Sequence, residues 1–170
     1  MAVPRTANAV PKRKKLPRGS RNAPATGPIR IGELADFVGY SLKRAQLRIF
    51  DDFSRSAAAL QLTPAQFSVL MLVDANPGRN QTKIAATLGI LRPNFVVLLD
   101  NLEKRGLCLR ARSKSDRRSH VLTLTEKGRG VLARARKLIR ARHEARLSAL
   151  LGEENRRLLL TVLGKIAREF

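Results

Sequence analysis

Residues 81–124 read QTKIAATLGILRPNFVVLLDNLEKRGLCLRARSKSDRRSHVLTL, and this stretch decides the fold. Apolar residues recur at helical spacing in two segments, residues 81–88 and about 92–105. The short turn Gly89-Ile90 joins the two segments, and Gly106 supplies a stop signal after the second one. This pattern predicts two helices that are separated by a tight turn.

The periodicity changes after the second helix. Residues 107–112 and 120–124 are typical of two short strands, and the polar stretch 113–119 joins them as a hairpin. Residues 104–119 contain seven Lys and Arg against a single acid, Asp116. Two helices followed by a basic hairpin have the outline of a winged helix-turn-helix. In that arrangement the second helix enters the major groove of DNA, and the hairpin reaches the neighbouring backbone.

Helical signals also flank this region on both sides. Apolar residues at steps of three and four predict one long amphipathic helix over 31–60. Thr63-Pro64-Ala65-Gln66 is a start signal for a second helix, because Thr can cap it and Gln can close a capping box. Downstream, Thr125 can cap a helix that Gly152 interrupts before a last helix over 153–170. The predicted fold class is therefore mainly α with a small β-hairpin wing.

The charge of the chain indicates a polyanionic partner. Its 34 Lys and Arg outnumber its 13 acids, which gives a formal net charge of +21. Nucleic acid is the first candidate and an anionic membrane surface the second. No apolar stretch is long enough for a membrane span and no secretory signal is recognisable, so we expect a cytoplasmic protein. One Cys and two His at unrelated positions predict neither a disulfide nor a metal site, and no cofactor is expected.

Residues 1–30 differ in composition from the rest of the chain. They contain five of the eight prolines, eight Lys and Arg, and no acid, which predicts a disordered basic arm. The cluster Lys12-Arg13-Lys14-Lys15 either contacts DNA phosphates or only keeps the arm soluble. Residues 31–170 are expected to form the folded domain.

Four motifs in order make the assignment more specific. They are LTPAQFSVL at 62–70, LEKRGL at 102–107, DRR at 116–118 and LTLTEKG at 122–128. In this order and spacing the chain resembles the MarR (multiple antibiotic resistance regulator) family of transcription factors. The resemblance implies a winged helix-turn-helix over about 62–126 and dimerisation helices over about 31–60 and 126–170. It further implies an intertwined homodimer on palindromic double-stranded DNA, released by a small phenolic or other aromatic ligand.

The candidate base readers lie at the start of the recognition helix. The heptapeptide LRPNFVV at 91–97 offers only Arg92 and Asn94, so direct readout is expected to be sparse. Asn94 suits an adenine edge and Arg92 a guanine or a phosphate, with a helix cap as the alternative role of Asn94. Gln81 and Thr82, at the start of the preceding helix, can contact phosphates through side chains or free N–H groups.

The hairpin contributes the other candidate DNA contacts. Arg112 and Lys114 are predicted to bind phosphates without regard to sequence. The family resemblance implies that Asp116 orients a nearby Arg while Arg117 or Arg118 extends to the minor groove or its phosphates. The alternative is a solvated basic turn.

An aromatic-anion pocket is the expected ligand site. Phe37, Tyr40 and Arg44 recur at steps of three and four on the first helix, and they can line a pocket with Phe67 and Met71 of the second. The alternative for this stripe is ordinary core.

Two further residues have alternative roles. His143, beside several arginines, either approaches an anionic ligand or lies on a solvated helix face. Cys108 fits a small buried hydrophobe better than a redox sensor.

The sequence lacks the constellations of an enzyme. No nucleophile with a base, no paired carboxylates and no phosphate-cradling glycine loop occur at a usable spacing. The predicted function is a sequence-specific DNA-binding transcriptional regulator, a repressor released by an aromatic anion or a bulkier conjugate such as a thioester. An architectural, sequence-indifferent nucleic-acid binder is the alternative. Homodimerisation is predicted from the apolar face formed by Leu159, Val162, Ile166 and Phe170.

Overall fold

The computed structural model describes residues 28–112 and 120–169. The predicted arm, apart from residues 28–30, therefore lies outside the described residues, as do 113–119 and Phe170. Within these residues, the six α-helices are α1 (Val38–Ser56), α2 (Pro64–Ala75), α3 (Gln81–Thr87), α4 (Arg92–Lys104), α5 (Glu126–Leu138) and α6 (Ala145–Glu169). The three strands are β1 (Arg79–Asn80), β2 (Cys108–Arg112) and β3 (His120–Leu124). The fold class predicted from the sequence is confirmed.

Side-chain caps start three of these helices where the sequence provides a cap residue. The Gln66 N–H donates to Thr63 Oγ1 at 3.2 Å, while the Thr63 N–H donates to Gln66 Oε1 at 3.1 Å, which completes the predicted capping box. Thr125 caps α5 by accepting from the Gly128 N–H at 2.9 Å. Asn80 caps α3 in the same way, because its side-chain oxygen accepts from the Thr82 N–H at 2.7 Å.

The sheet has the order β1-β3-β2, and both strand pairs are antiparallel. Cys108 lies opposite Leu124, and Arg112 lies opposite His120, so the predicted hairpin is confirmed. Strand β1 was not predicted, because two residues are too few to show an alternation. It extends the hairpin by pairing with residues 121 and 122, and it thereby ties α3 to the wing.

One apolar core joins α2, α4, the hairpin and α5. Its largest fully buried side chains come from all four parts: Leu70, Leu99, Leu102, Leu107, Leu122, Leu132, Val69, Val73 and Cys108. Cys108 is therefore a small buried hydrophobe, as predicted. Since the recognition helix α4 shares this core with the wing, the two are held as one body.

The prediction of one helix over 31–60 is wrong. A 3₁₀ helix at Gly32–Asp36 precedes α1, and Phe37 between them is extended, with φ −83° and ψ 116°. Gly32 has a φ of +59°, a conformation that glycine adopts without strain. The Ser41 hydroxyl donates to the Ala35 carbonyl at 3.1 Å, which satisfies an acceptor that the break leaves free. Apolar spacing continues through the break, so periodicity could not reveal it.

The C-terminal helical region is also irregular. Between α5 and α6 the chain forms a π-helical turn at Ile139–Glu144, which the sequence did not predict. The predicted break at Gly152 is confirmed as a kink, with φ 72° and ψ 161°. Such π turns occur frequently at functional sites in helices.

Two helices present apolar faces that the described part of the chain does not cover. Helix α6 contains no buried residue, and its Leu159 and Val162 are 39% and 45% exposed. On α1, Leu42, Leu47 and Phe50 are exposed as well. Within 28–112 and 120–169, no single helix is long and apolar enough to cross a membrane, and only α3 and α4 together, bent by 113°, meet that criterion.

Candidate DNA interface and ligand cavity

Helix α4 separates a core face from an exposed face. Phe95, Leu99 and Leu102 are buried, while Arg92 and Asn94 are exposed in the first turn. Leu91 is the N-cap residue and the helix begins without a side-chain cap. Asn94 therefore does not cap the helix, and the alternative role considered for it is not observed.

The two candidate phosphate residues of α3 differ in their surroundings. The Thr82 N–H is occupied by Asn80, so only its exposed side chain is left for a phosphate. Gln81 is half-buried, and its buried Oε1 has no hydrogen-bond partner among the described residues. Gln81 and Thr82 line a cleft of about 220 Å³ between α3 and α4, together with Arg92.

The wing is described up to the ends of its two strands. Arg112 is exposed at the last position of β2, which suits a contact with the DNA backbone. Lys114, Asp116, Arg117 and Arg118 lie in 113–119, outside the described residues.

A salt-bridge cluster that the sequence analysis did not single out joins the wing to the recognition helix. One terminal nitrogen of the Arg110 guanidinium lies 2.5 Å from Asp100 Oδ1 and 2.5 Å from Glu103 Oε2. The Arg110 N–H also donates to Glu103 Oε1 at 2.8 Å. Burial opposes the charge of Arg110, but hydrogen bonds from it to Glu103 and Asp100 raise its pKa overall. The distribution of charge over residues 100–110 could have indicated this salt-bridge cluster, because two acids on α4 precede a basic strand.

Hydrogen bonds to other elements also hold the C-terminal half of the recognition helix. The Arg105 guanidinium donates to the carbonyls of Gln61 at 2.7 Å and Leu60 at 2.8 Å. Gln66 Nε2 donates to Asn101 Oδ1 at 2.8 Å, which links α2 to α4. These bonds tie α4 to α2 and to the segment between α1 and α2, so a movement of α2 is transmitted to the recognition helix.

A cavity of about 510 Å³ opens between α1 and the C-terminal helices. Its walls combine arginines and apolar side chains with the buried His143 and the half-buried Asp52: Arg48, Ile49, Asp52, Arg55, His143, Arg146, Leu147, Ala149 and Leu150. A second hollow of about 630 Å³ shares Asp52, Arg55 and Arg146 with it and adds Arg142. The cavity thus offers apolar walls and several cations within one space.

The carboxylate of Asp52 contacts several of the basic side chains that line this cavity. This carboxylate lies 2.8 Å from His143 Nδ1 and forms ion pairs with Arg146 and, at 3.6 Å, with Arg55. The hydrogen bond with His143, together with the charges of Arg146 and Arg55, holds the pKa of Asp52 below its ordinary value. The side chain of His143 is only 5% exposed, so the predicted alternative of a solvated helix face is wrong.

The structure does not gather the six predicted ligand residues around this cavity. Only His143 lines it. Phe37 is 63% exposed, and Arg44 stacks on the Tyr40 ring at 5.9 Å from its centroid. Phe67 packs against Phe53 in the interior, with centroids 5.4 Å apart.

Met71, the last of the six predicted ligand residues, instead links α2 to α5. Its sulfur accepts from Arg136 Nε at 3.1 Å, and the same guanidinium forms an ion pair with Asp74 at 2.8 Å. Spacing along α1 and α2 gave no information on which parts of their surfaces face each other.

Cys108 is a free cysteine whose side chain is fully buried. Burial raises the pKa of its thiol to about 12, and the negative charge of Glu103 acts in the same direction. Among the described residues, no group of three or more His, Cys, Asp and Glu side chains could hold a metal ion.

Comparison with known proteins identifies relatives of this arrangement. The sequence model of the MarR family matches residues 62–120. A transcriptional regulatory protein for the hcr operon of Thauera aromatica is 30% identical over 81% of this chain and 83% of its own length. An HTH-type transcriptional repressor of Mycobacterium tuberculosis is 31% identical over 72% of this chain and 90% of its own.

Solved structures agree with these sequence relatives. The transcriptional repressor CouR bound to a 23-mer DNA duplex is 65% identical, with a TM-score of 0.79 over 83% of this chain and 99% of its own. CouR bound to p-coumaroyl-CoA is 64% identical, with a TM-score of 0.78 over 84% of this chain and all of its own. The motifs, the winged helix-turn-helix and these relatives agree, and the chain belongs to the MarR family of DNA-binding transcriptional regulators.

Proposed function

We propose that this chain is a homodimeric repressor that binds a palindromic operator and is released by the CoA thioester of an aromatic acid. The observation that carries the proposal is the cavity between α1 and α6, in which arginines surround apolar walls. CouR, at 64% identity, binds p-coumaroyl-CoA, and this makes an aromatic CoA thioester the first ligand to test. Two of the relatives, the Mycobacterium tuberculosis protein and CouR, are named repressors, which favours this function over a sequence-indifferent architectural role. We infer that the protein acts by binding alone, in the cytoplasm, without catalysis.

The chemistry of the cavity suits such a ligand. Ile49, Leu147 and Leu150 offer apolar contacts for an aromatic ring. Arg48 and Arg146 can bind the phosphates of CoA through charge-assisted hydrogen bonds. A volume of about 510 Å³ falls within the range of small-molecule sites, and the neighbouring hollow gives a long ligand further room.

A continuous series of contacts connects the cavity with the recognition helix. His143 meets Phe53 edge-on at 5.6 Å between centroids, and Phe53 packs on Phe67 of α2. Next to Phe67, Gln66 donates to Asn101 of α4. A ligand that displaces the π turn carrying His143 would therefore shift α2 and α4 together. A tenfold loss of operator affinity requires about 1.4 kcal/mol of such coupling.

The uncovered apolar faces of α1 and α6 support the dimer. A single chain leaves Leu47 and Leu158 exposed, at 58% and 60%, and pairing with a second copy would remove such side chains from water. Because a twofold dimer presents two α4 helices and two wings, its matching target is a palindrome. Sedimentation at micromolar concentration tests this point, since a folded, DNA-binding monomer would contradict it.

Calorimetric titration with p-coumaroyl-CoA tests the ligand site. We expect Arg48→Ala and Arg146→Ala each to weaken binding about tenfold, the equivalent of 1.4 kcal/mol for a lost charge-assisted contact. Arg134→Ala, an exposed arginine of α5 that does not line the cavity, is the matched control and should bind as the unaltered protein does. Equal affinities in all four proteins, or no binding at all, would contradict the proposed site.

A further inference from the structure

We propose that the recognition helix reads thymine through apolar contact, with Val97 and Leu91 packing against the C5-methyl groups of thymines in the major groove. The inference rests on the DNA-binding function and concerns how the operator sequence is recognised. Arg92 and Asn94 alone leave this helix with few hydrogen-bonding base readers. Apolar readout supplies the missing specificity.

The exposed face of α4 contains an apolar side chain among polar ones. Asn94, Val97, Asn101 and Lys104 follow each other at steps of three, four and three, and all four are exposed. The opposite face, which includes Phe95 and Leu99, is buried in the core. Val97 is thus directed away from the core on the helix that enters the major groove.

The exposure of these side chains is high for large apolar residues. Among the described residues, only five of that kind are more than 70% exposed: Ile29, Val38, Leu91, Val97 and Leu150. Two of the five lie in the N-terminal half of the recognition helix or at its cap. Side chains from this part of a recognition helix contact base edges. Contact with DNA is therefore the event that removes Leu91 and Val97 from water.

Thymine is the base that matches an apolar side chain. In the major groove it presents a C5-methyl group next to the O4 acceptor, whereas the exposed edges of the other bases offer only polar groups for recognition. Valine and leucine carry no donor or acceptor, so they gain by covering the methyl group. They would leave a guanine or adenine edge without its hydrogen-bond partner.

Deoxyuridine replacement isolates this contact, because deoxyuridine lacks the methyl group and keeps every hydrogen-bonding atom of thymine. A high-affinity duplex is first selected from random DNA with the full-length protein, and each thymine is then replaced in turn. We expect replacement at the contacted positions to weaken binding about fourfold per methyl group, the equivalent of about 0.8 kcal/mol. In Val97→Ala or Leu91→Ala, this penalty should disappear at the thymine that the residue contacts.

Val38→Ala is the matched control, because Val38 is 72% exposed against 71% for Val97 and lies on α1. It should retain the full penalty at every position. The inference is overturned if no replacement weakens the unaltered protein, or if Val97→Ala and Leu91→Ala both keep its pattern of penalties. Failure of the proposed function appears differently, since either no duplex is selected or p-coumaroyl-CoA fails to release the selected one.

Discussion

The close approach of α5 to the end of the recognition helix depends on Gly128. A methyl group added there would lie 2.8 Å from the carbonyl carbon of Leu107 and closer still to its oxygen. Leu107 is 1% exposed, and its carbonyl already accepts from the Thr125 N–H at 3.2 Å. Gly128→Ala must therefore displace backbone that joins α4 to the wing.

The size of the effect follows from two opposing contributions. Forcing a methyl group into packed backbone costs about 3 kcal/mol, the upper end of the usual range for overpacking. Alanine in place of a helical glycine returns about 0.5–1 kcal/mol through backbone entropy. The expected net loss is about 2 kcal/mol, which for a chain of this length lowers Tm by about 4–8 °C.

Thermal unfolding followed by circular dichroism at a fixed protein concentration measures this difference. Gly130→Ala is the matched control, because Gly130 lies in the same helix and an added methyl group there meets nothing within 4 Å. It should stabilise the protein by up to about 1 kcal/mol. If Gly128→Ala proves as stable as Gly130→Ala, the reasoning about packing at Leu107 is refuted.

Three further predictions concern other parts of the structure. Arg110→Ala should lower the free energy of unfolding by about 1–2 kcal/mol, because two acids of α4 lose their cation, and denaturant titration measures this. Arg110→Lys should restore only part of it, since a single ammonium cannot reproduce the geometry. The thiol of Cys108 should react with a maleimide at neutral pH only after unfolding, because the side chain is fully buried and burial also raises the pKa of the thiol, and rapid labelling of the folded protein would contradict this. The ion pairs of Asp52 should stabilise the protein above the ordinary carboxyl pKa of 3.8 and be lost as the pH falls below it, because the lowered pKa makes the unfolded state bind the proton first. Asp52→Asn should therefore flatten the acid limb of a stability–pH curve, and an unchanged limb would argue against the pairing.

Short-range sequence signals explain why much of the winged helix-turn-helix was predictable. Thr63 and Thr125 each cap a helix through a residue three positions away, so a short segment contains the whole signal. The alternation in β2 and β3 and the stop at Gly106 are local in the same sense. Residues within a few positions of each of these features specify it.

The features that were missed depend on long-range packing. The hydrogen bond between His143 and Asp52 joins residues 91 positions apart, and no sequence pattern indicates which arginine or acid of α1 faces the C-terminal helices. Phe37, Tyr40 and Arg44 have the spacing of a shared helix face, yet Phe37 ends up as the extended residue before α1. The π turn that places His143 in the cavity likewise has no periodicity of its own.

The central claim is that one protein binds both operator DNA and an aromatic CoA thioester, and that each weakens the other. The most direct test measures the Kd for a fluorescent operator duplex with and without saturating p-coumaroyl-CoA, and the Kd for p-coumaroyl-CoA with and without saturating operator. Linkage requires both constants to rise by the same factor, which we expect to be at least about tenfold, or 1.4 kcal/mol. Operator and thioester affinities that stay unchanged in each other's presence would contradict the account.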